Sequence, residues 1–414
     1  MKTLLLSTYD ISGGAARAAY RLHQGLQGIG IDSTMLVQHQ SSDDRTVVGP
    51  RSKAEKTIAF LRPGIDSLPL SRYQKRSQNR YTLDWLPDRK INIVLQQNPD
   101  IINLHWIGSG FMRLETLAKT KKPIVWTMHD MWAFTGGCHY TEGCDRYLQN
   151  CGKCPQLGSQ KSTDLSRWNW NRKRKILQEL DLTIVTPSQW LASCSQSSSV
   201  LGNIRTQVIP YGIDLLQYQP QNRQWVRTLF NLPTDKPLIL FGASSAMDDR
   251  RKGIHLLEAA LQSLQAFDFQ EQPEVVILGA SHGKFKCPFP VHYLGILQDD
   301  LSLSLAYACA DVFVAPSLED NLPNTVLEAI ACGVPCIAFR IGGMPDLIEH
   351  QYSGYLAKPF DVVELALGIH WTLTTKEPLG KRSRRIAEKR YGLLQQAQAY
   401  RSLFEDLLEN RSAK

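Results

Sequence analysis

Short apolar runs recur along this chain, and between them apolar positions return every three or four residues. In the first half the runs are Leu4-Leu-Leu6, Ser33 to Gln38, Asp100 to Trp106 and Pro123 to His129. In the second half they are Leu238 to Phe241, Glu274 to Gly279, Val291 to Gly295, Asp311 to Ala315 and Pro335 to Phe339. Continuous apolar strands separated by helical stretches predict parallel sheets covered on both faces, because a strand with one wet face alternates instead. Two segments share one grammar of strand, glycine-bearing loop and helix: Leu4 through Gly13-Gly14 into Ala15 to Gly28, and Leu238 through Lys252-Gly253 into the helix that follows. Two doubly wound domains follow, with ligands expected at the carboxyl ends of the strands. The seam falls between Val208-Ile-Pro-Tyr-Gly-Ile-Asp214 and Lys236-Pro237, where Gln, Pro and other polar residues dominate. The expected division is 1–212, 213–387, and a C-terminal helical stretch, 388–414, that packs back on the first domain because it has no strand partner of its own.

Composition narrows the class. A chain of 414 residues exceeds what one hydrophobic core supports, which agrees with two domains. No window reaches the ~18 uninterrupted apolar residues of a membrane span. The opening Met1-Lys-Thr-Leu-Leu-Leu-Ser has an apolar run too short for a signal peptide and no small-residue cleavage site, so it reads as a first buried strand. Nine cysteines, an odd number, point to a reducing cytosol rather than a disulfide framework. A formal charge of +8 favours anionic partners without naming one.

The densest chemistry lies in Ala315-Pro-Ser-Leu-Glu-Asp-Asn-Leu-Pro-Asn-Thr-Val-Leu-Glu-Ala-Ile-Ala-Cys-Gly-Val-Pro. A strand leads through a polar loop to a helix that begins near Pro323 and ends at Gly333. Bare N–H groups and the helix dipole make that end an anion site, and Asp320 and Glu328 are placed to accept from sugar hydroxyls. The plain alternative is a pair of acids complementing the dipole, but Glu328 lies more than a turn inside the helix, where that effect has faded. Lys252-Gly253, preceded by Arg250 and Arg251, puts cations where a departing diphosphate can be neutralised; a bare surface lysine is the alternative. Gly13-Gly14 allows close backbone approach to a diphosphate, or merely a tight turn. A dinucleotide site would want an acid closing the second strand, and that strand ends Leu36-Val-Gln-His-Gln40.

Three further clusters stand out. His129-Asp130 follows the strand Pro123 to Met128, either as a reacting-centre histidine or as a structural one at a strand end. Cys138, Cys144, Cys151 and Cys154 form Cys-x5-Cys-x6-Cys-x2-Cys, with the final knuckle spacing of structural zinc sites and His139 as an alternative ligand. Zinc bracing this insert, free thiols and a labile disulfide all remain open. Two basic stretches, Ser67 to Leu83 and Leu165 to Gln178, the latter with Trp168 and Trp170, suit either a solvated face or an anionic membrane surface. No RNA-binding motif accompanies them, so nucleic acid is not an expected partner.

Taken together, these motifs resemble the retaining glycosyltransferases of family four, which have the two-domain architecture called GT-B. The matching segments, over nearly the whole length, are Gly13-Gly14, Thr127-Met-His-Asp130, Pro187-Ser188, Ile209-Pro-Tyr-Gly-Ile-Asp214, Lys252-Gly253, Leu294-Gly295, the acid pair around Asn321-Leu-Pro-Asn324, and Gly342-Gly343 with Gly354. The cysteine-bearing insert is similar to that of bacterial exopolysaccharide enzymes of the colanic-acid type. The resemblance implies two doubly wound Rossmann-like domains with parallel sheets facing across a cleft. It implies a hexose moved from a UDP- or GDP-sugar to an oligosaccharide or lipid-linked acceptor, with retention at the anomeric carbon and no cofactor needed for catalysis. It implies that Glu328 holds the donor ribose, Asp320 contacts the donor sugar, Lys252 meets the diphosphate beside Gly14, and His129 touches the sugar near the reacting centre. Gly295, Asn321 and Leu322 join the donor site, the nucleobase lying against backbone around Leu294 to Ile296. Two departures from the family pattern matter. The first acid is Asp320 rather than Glu, with Glu319 beside it, and Gly242-Ala-Ser-Ser245 replaces the usual arginine, a role left to Arg250 or Arg251. The expected location is cytoplasmic, with a peripheral contact on the inner face of the plasma membrane. A nucleotide-sugar epimerase and a non-catalytic module of the same fold are the rival readings.

Overall fold

A computed structural model describes residues 1–88, 90–242, 249–282 and 285–412. The chain divides into two compact units, Met1–Tyr211 with Leu394–Lys414, and Gly212–Leu393. Among the described residues the first unit holds seven strands: β1 (Lys2–Tyr9), β2 (Asp32–His39), β3 (Val47–Val48), β4 (Ile101–Leu104), β5 (Ile124–Thr127), β6 (Leu182–Thr186) and β7 (Thr206–Val208). They lie side by side in the order β3-β2-β1-β4-β5-β6-β7, all pairs parallel. The apolar runs are continuous because both faces of this sheet are covered. Leu4, Leu6, Leu36, Ile102, Leu104, Trp126 and Ile184 face one core. Their neighbours Leu5, Met35, Val37, Ile101, Val125 and Val185 face another, which α1 (Gly14–Gly28) supplies with Ala19, Leu22 and Leu26. The C-terminal helix Leu393–Ser412 completes that second core with Ala397, Tyr400, Leu403 and Phe404.

The second unit repeats the plan with β8 (Leu238–Gly242), β9 (Glu274–Leu278), β10 (Val291–Gly295), β11 (Val312–Ala315), β12 (Cys336–Phe339) and β13 (Gly354–Ala357). The order is β10-β9-β8-β11-β12-β13, again parallel throughout. Ile239, Phe241, Val275, Ile277, Val312 and Val314 pack on Leu257, Ala260, Leu261 and Leu264 of the helix Ile254–Leu264 and on Leu365, Ala366 and Ile369 of the helix Val362–Thr374. Both units are therefore doubly wound Rossmann-like domains, with the strand order that reverses beside the first strand and leaves a crevice at its carboxyl end.

A second helix of the first unit, α2 (Lys53–Ser67), opens with a capping box in which Ser52 Oγ accepts from Glu55 N–H while Glu55 reaches back to Ser52 N–H. Of its fifteen residues only Ala59 and Asp66 are buried. Among the described residues no helix is long and apolar enough to cross a membrane.

The basic stretch Leu165 to Gln178 forms the helix Leu165–Leu177, capped by Asp164, and much of its charge turns inward. Arg172 pairs with Glu115 at 2.6 Å, and Arg167 binds the Cys151 carbonyl and Asn150. Lys173 is fully buried, donating to the Trp132 and Thr135 carbonyls with its ammonium 3.6 Å from the Trp132 ring centroid. Burial pulls its pKa down to about 7. Such contacts leave Arg174 and Lys175 as this helix's exposed cations. A membrane-facing stripe is therefore not what the second basic stretch forms, because three of its cations satisfy buried carbonyls and an acid.

Candidate active site

The second unit brings three of the expected residues together. β11 ends at Ala315, the loop Pro316 to Pro323 turns over the sheet, and the helix Asn324–Ala331 begins behind Pro323. Asp320 is buried in that loop, and its Oδ2 accepts from Lys252 Nζ at 2.6 Å and from Ser317 Oγ at 3.3 Å. Arg251 Nη1 stands 3.4 Å from the same oxygen and also donates to the Glu319 carbonyl at 2.9 Å. Burial pushes the Asp320 carboxyl up, but the charges of Lys252 and Arg251 and the bonds from Lys252 and Ser317 outweigh it, so the group sits below its ordinary value and is ionised.

Two glycines permit this approach. Gly253 follows Lys252 with φ +73°, and a Cβ there would meet the Pro316 carbonyl oxygen at 1.8 Å. Gly342 has φ +50°, and its Cβ would meet the Asp320 carbonyl oxygen at 1.9 Å. Both positions combine left-handed backbone with a clash that backbone cannot relieve, so any side chain displaces the loop that carries Asp320.

Glu328 lies inside the helix Asn324–Ala331 and is buried, and Tyr307 Oη donates to its Oε2 at 2.8 Å. Where the sequence suggested the donor ribose as partner, the structure places a tyrosine from the helix Asp300–Ala308. Asn321 and Leu322 are buried within the loop, and Asn321 N–H turns back to Asp320 Oδ1 at 3.2 Å. Arg250 is exposed at the start of the short turn Arg250–Lys252. Gly295 closes β10 with φ +72° and exchanges backbone bonds with Gly279 and Ala280, leaving the neighbouring Ile296 exposed. Ala243-Ser-Ser245, where the resemblance misses its usual arginine, lies outside the described residues. A hollow of about 940 Å³ exists in this unit, but its lining includes Pro237, Asp311 and Pro335, at the amino ends of β8, β11 and β12, opposite the end that carries Asp320.

In the first unit Gly13 caps α1 with φ +91°, a conformation that favours glycine, and exposed Gly14 begins the helix. His129 follows β5 and is held at both ring nitrogens. Nδ1 meets Tyr211 Oη at 2.6 Å and Nε2 meets His105 Nδ1 at 3.0 Å. Proton positions along this chain can be worked out. Asn103 Nδ2 donates to the Val125 carbonyl, so Asn103 Oδ1 accepts, and His105 Nε2 at 3.2 Å must carry the hydrogen. Burial holds His105 well below its ordinary pKa and His129 at about 4, so both rings are neutral at pH 7. His105 Nδ1 then accepts from His129 Nε2–H, and His129 Nδ1 accepts the Tyr211 hydroxyl proton. Asn103 passes the chain to Thr127 Oγ1 at 3.0 Å, which lies 2.7 Å from Tyr400 Oη on the C-terminal helix. The sequence named His129 and quoted Tyr211 within Ile209-Pro-Tyr-Gly, but did not join them to Asn103 or Tyr400.

Of the three readings left open for the cysteine cluster, the structure supports free thiols. Cys138, Cys144, Cys151 and Cys154 are free, and among the described residues no three His, Cys, Asp or Glu side chains are arranged to hold a metal ion. Cys154 belongs to a small apolar core with Leu70, Tyr81 and Leu157, against which Cys138 packs, while Cys151 belongs to the main core. Burial raises the Cys138 thiol and brings Cys151 to about 12. His139, the alternative ligand, bonds instead to Asp130 Oδ2 at 2.7 Å and Thr82 Oγ1 at 2.9 Å.

Comparison with known proteins agrees with this architecture. A family model described as Glycosyltransferase Family 4 matches residues 12–216, and one described as Glycosyl transferases group 1 matches residues 236–375. WcaC of Escherichia coli K12, which carries the name of a colanic acid biosynthesis glycosyl transferase, is 26% identical over 88% of this chain and 89% of its own. Among solved structures, sucrose-phosphate synthase from Thermosynechococcus elongatus superposes with a TM-score of 0.68 at 20% identity, covering 98% of this chain and 100% of that one. HepE of Anabaena, in complex with UDP and glucose, gives 0.66 at 17% identity, covering 98% and 99%.

Proposed function

The chain belongs to the family-four glycosyltransferases of GT-B fold, and from that premise we propose that it moves a hexose from a nucleotide-sugar to an oligosaccharide or lipid-linked acceptor in surface polysaccharide synthesis. The observation that carries the donor half of this reading is the convergence of Lys252 and Arg251 on Asp320 at the carboxyl end of β11. Two cations beside a helix start and a strand end make a site for a diphosphate, and a buried carboxylate beside them suits sugar hydroxyls. In this scheme the second unit takes the donor, with Glu328 on the ribose, Gly295 and its neighbours against the base, and Asn321 and Leu322 shaping the loop. The first unit takes the acceptor.

The reaction breaks the bond from the anomeric carbon to the diphosphate and forms one from that carbon to an acceptor oxygen. The acceptor hydroxyl proton passes to the departing phosphate oxygen, so the products balance as lengthened glycan and nucleoside diphosphate. Negative charge develops on the leaving group, and Lys252 and Arg251 stabilise it where it forms. Asp320 keeps Lys252 in place until the donor competes for it. Attack from the face of the departing group gives retention without a protein nucleophile. His129 meets the sugar by exchanging its bond to Tyr211 or His105, since both ring nitrogens are otherwise engaged.

Incubation with a panel of UDP- and GDP-sugars tests this, with UDP-glucose first because HepE holds UDP and glucose on the same fold. The expected result is release of the nucleoside diphosphate, increased by membrane extract as acceptor. Interconversion of nucleotide-sugars without release would replace the proposal with an epimerase, and silence across the panel would leave a non-catalytic module.

A further inference from the structure

In a helix at the surface of a water-soluble domain the apolar stripe faces the core and the polar side faces out. α2 inverts this. Its inward side is held by Ala59, by Arg62 bonds to the carbonyls of Gly110 and Pro87, and by Asp66, which accepts from Asp84 N–H and Trp85 N–H. Ile58, Leu61 and Ile65, followed by Leu68 just after the helix, recur at the spacing of one helical face, and all four are exposed, from 41% for Ile65 to 60% for Leu68. Phe60 beside them is 77% exposed. Single exposed apolar residues need no explanation, but four large ones along one face of a helix and its end, with Phe60 on the adjoining exposed side, call for one.

The charge around this patch says what covers it. Lys53 and Lys56 stand on α2 itself, and Arg72, Lys75 and Arg76 follow it, all exposed. From Arg51 to Arg80 the acids are Glu55, engaged in the capping box, and Asp66, which is buried. We propose that α2 and the basic segment after it form a docking surface for an anionic lipid bilayer, with Phe60, Leu61 and Ile65 entering the interface and Arg72, Lys75 and Arg76 on the headgroups. A protein partner's groove would not call for one-signed charge on both flanks of the apolar face, whereas an anionic interface does. The surface stands on its own geometry; its purpose, to meet an acceptor carried on lipid, rests on the transferase reading above.

Co-sedimentation of the full chain with vesicles tests it. Phosphatidylcholine vesicles containing phosphatidylglycerol should bind the protein, phosphatidylcholine alone much less, and added salt should weaken the bound fraction. Phe60→Ser combined with Leu61→Ser should lower the partition at least about tenfold, and Arg72→Gln, Lys75→Gln and Arg76→Gln together should do the same at low salt. Nucleoside diphosphate release without vesicles should be unchanged in both variants. Equal binding to both vesicle types, no binding to either, or variants that bind like the parent would each overturn the proposal. So would a dimer in sedimentation velocity that the serine variant dissolves without any vesicle binding, since a second copy would then cover the face. Vesicle binding by a protein inert to every donor would leave this inference standing and remove the transferase reading alone.

Discussion

Two strand ends of this molecule carry polar clusters built on opposite principles. At the end of β5 the chain Tyr211, His129, His105, Asn103, Thr127 and Tyr400 is a file of neutral groups whose donors and acceptors match in one direction. At the end of β11, Lys252 and Asp320 are a charged pair with Arg251 close by. Burial favours the neutral file, because ionising either ring would leave a desolvated charge. Burial opposes the charged pair, which persists because each partner neutralises the other. In the first arrangement a ligand gains a bond to His129 only by displacing Tyr211 or His105, while the second exchanges charge for charge, since a diphosphate is a second anion for Lys252. The two clusters are thus distinguished by what an incoming anion could replace.

Acid is the strongest way to break the neutral file. His129 is held at about 4 against an ordinary value near 6.5, so between those values the unfolded chain binds the extra proton. Stability therefore rises with pH across that window and is lost as pH falls from about 6.5 towards 4. The loss from His129 alone is on the order of 3 kcal/mol once pH is below the folded value. His23, also at about 4 through burial, acts in the same direction, whereas burial raises Asp84 and Asp66, which act oppositely. The informative quantity is the difference between the parent and His129→Asn, measured as urea unfolding at a series of pH values. That difference should shrink by about 3 kcal/mol towards pH 4; parallel curves would mean that His129 is not held neutral by burial.

The charged pair should break differently. Lys252→Ala and Glu328→Ala are each expected to lower donor turnover at least about tenfold, equal to roughly 1.4 kcal/mol of lost transition-state stabilisation. Lys252→Ala also leaves Asp320 buried without its nearest cation, so its measured stability must be compared alongside. Rates that match the parent in both variants would remove these residues from the proposed site.

How much of this was legible beforehand follows from range along the chain. Both parallel sheets were readable because their central strands, such as β4, β5, β8, β11 and β12, are buried on two faces and show it as apolar runs. The edge strands β3 and β7, two and three residues long, have too few positions to show any period. The loop bearing Asp320 and the turn bearing Lys252 were each recognisable from local composition. That they meet each other was not, since the contact joins residues 68 apart. The basic helix Leu165–Leu177 misled for the same reason: Arg172 and Lys173 find Glu115 and Trp132, 57 and 41 residues earlier. In α2 the apolar residues were visible, but which face the fold would bury depended on Arg62 and Asp66 anchoring the other side. The cysteines had a metal-like spacing, yet spacing does not record that Cys154 and Cys138 join a small core and Cys151 the main one.

The smallest expected effect tests the direction of the neutral file. Tyr211→Phe removes the hydroxyl that donates to His129 Nδ1 and leaves that nitrogen a buried acceptor without this donor. The cost should be about 1 kcal/mol, at the lower end for an orphaned neutral group. His129 would also become easier to protonate, because its Nδ1 no longer serves as an acceptor for Tyr211. Nitrogen-15 chemical shifts of the imidazole rings read this directly. In the parent, His129 should show the Nε2–H tautomer at neutral pH, and in Tyr211→Phe its titration should move upward from about 4. A parent ring protonated at Nδ1 would reverse the file, making His129 the donor to Tyr211 and requiring Asn103 to be turned around.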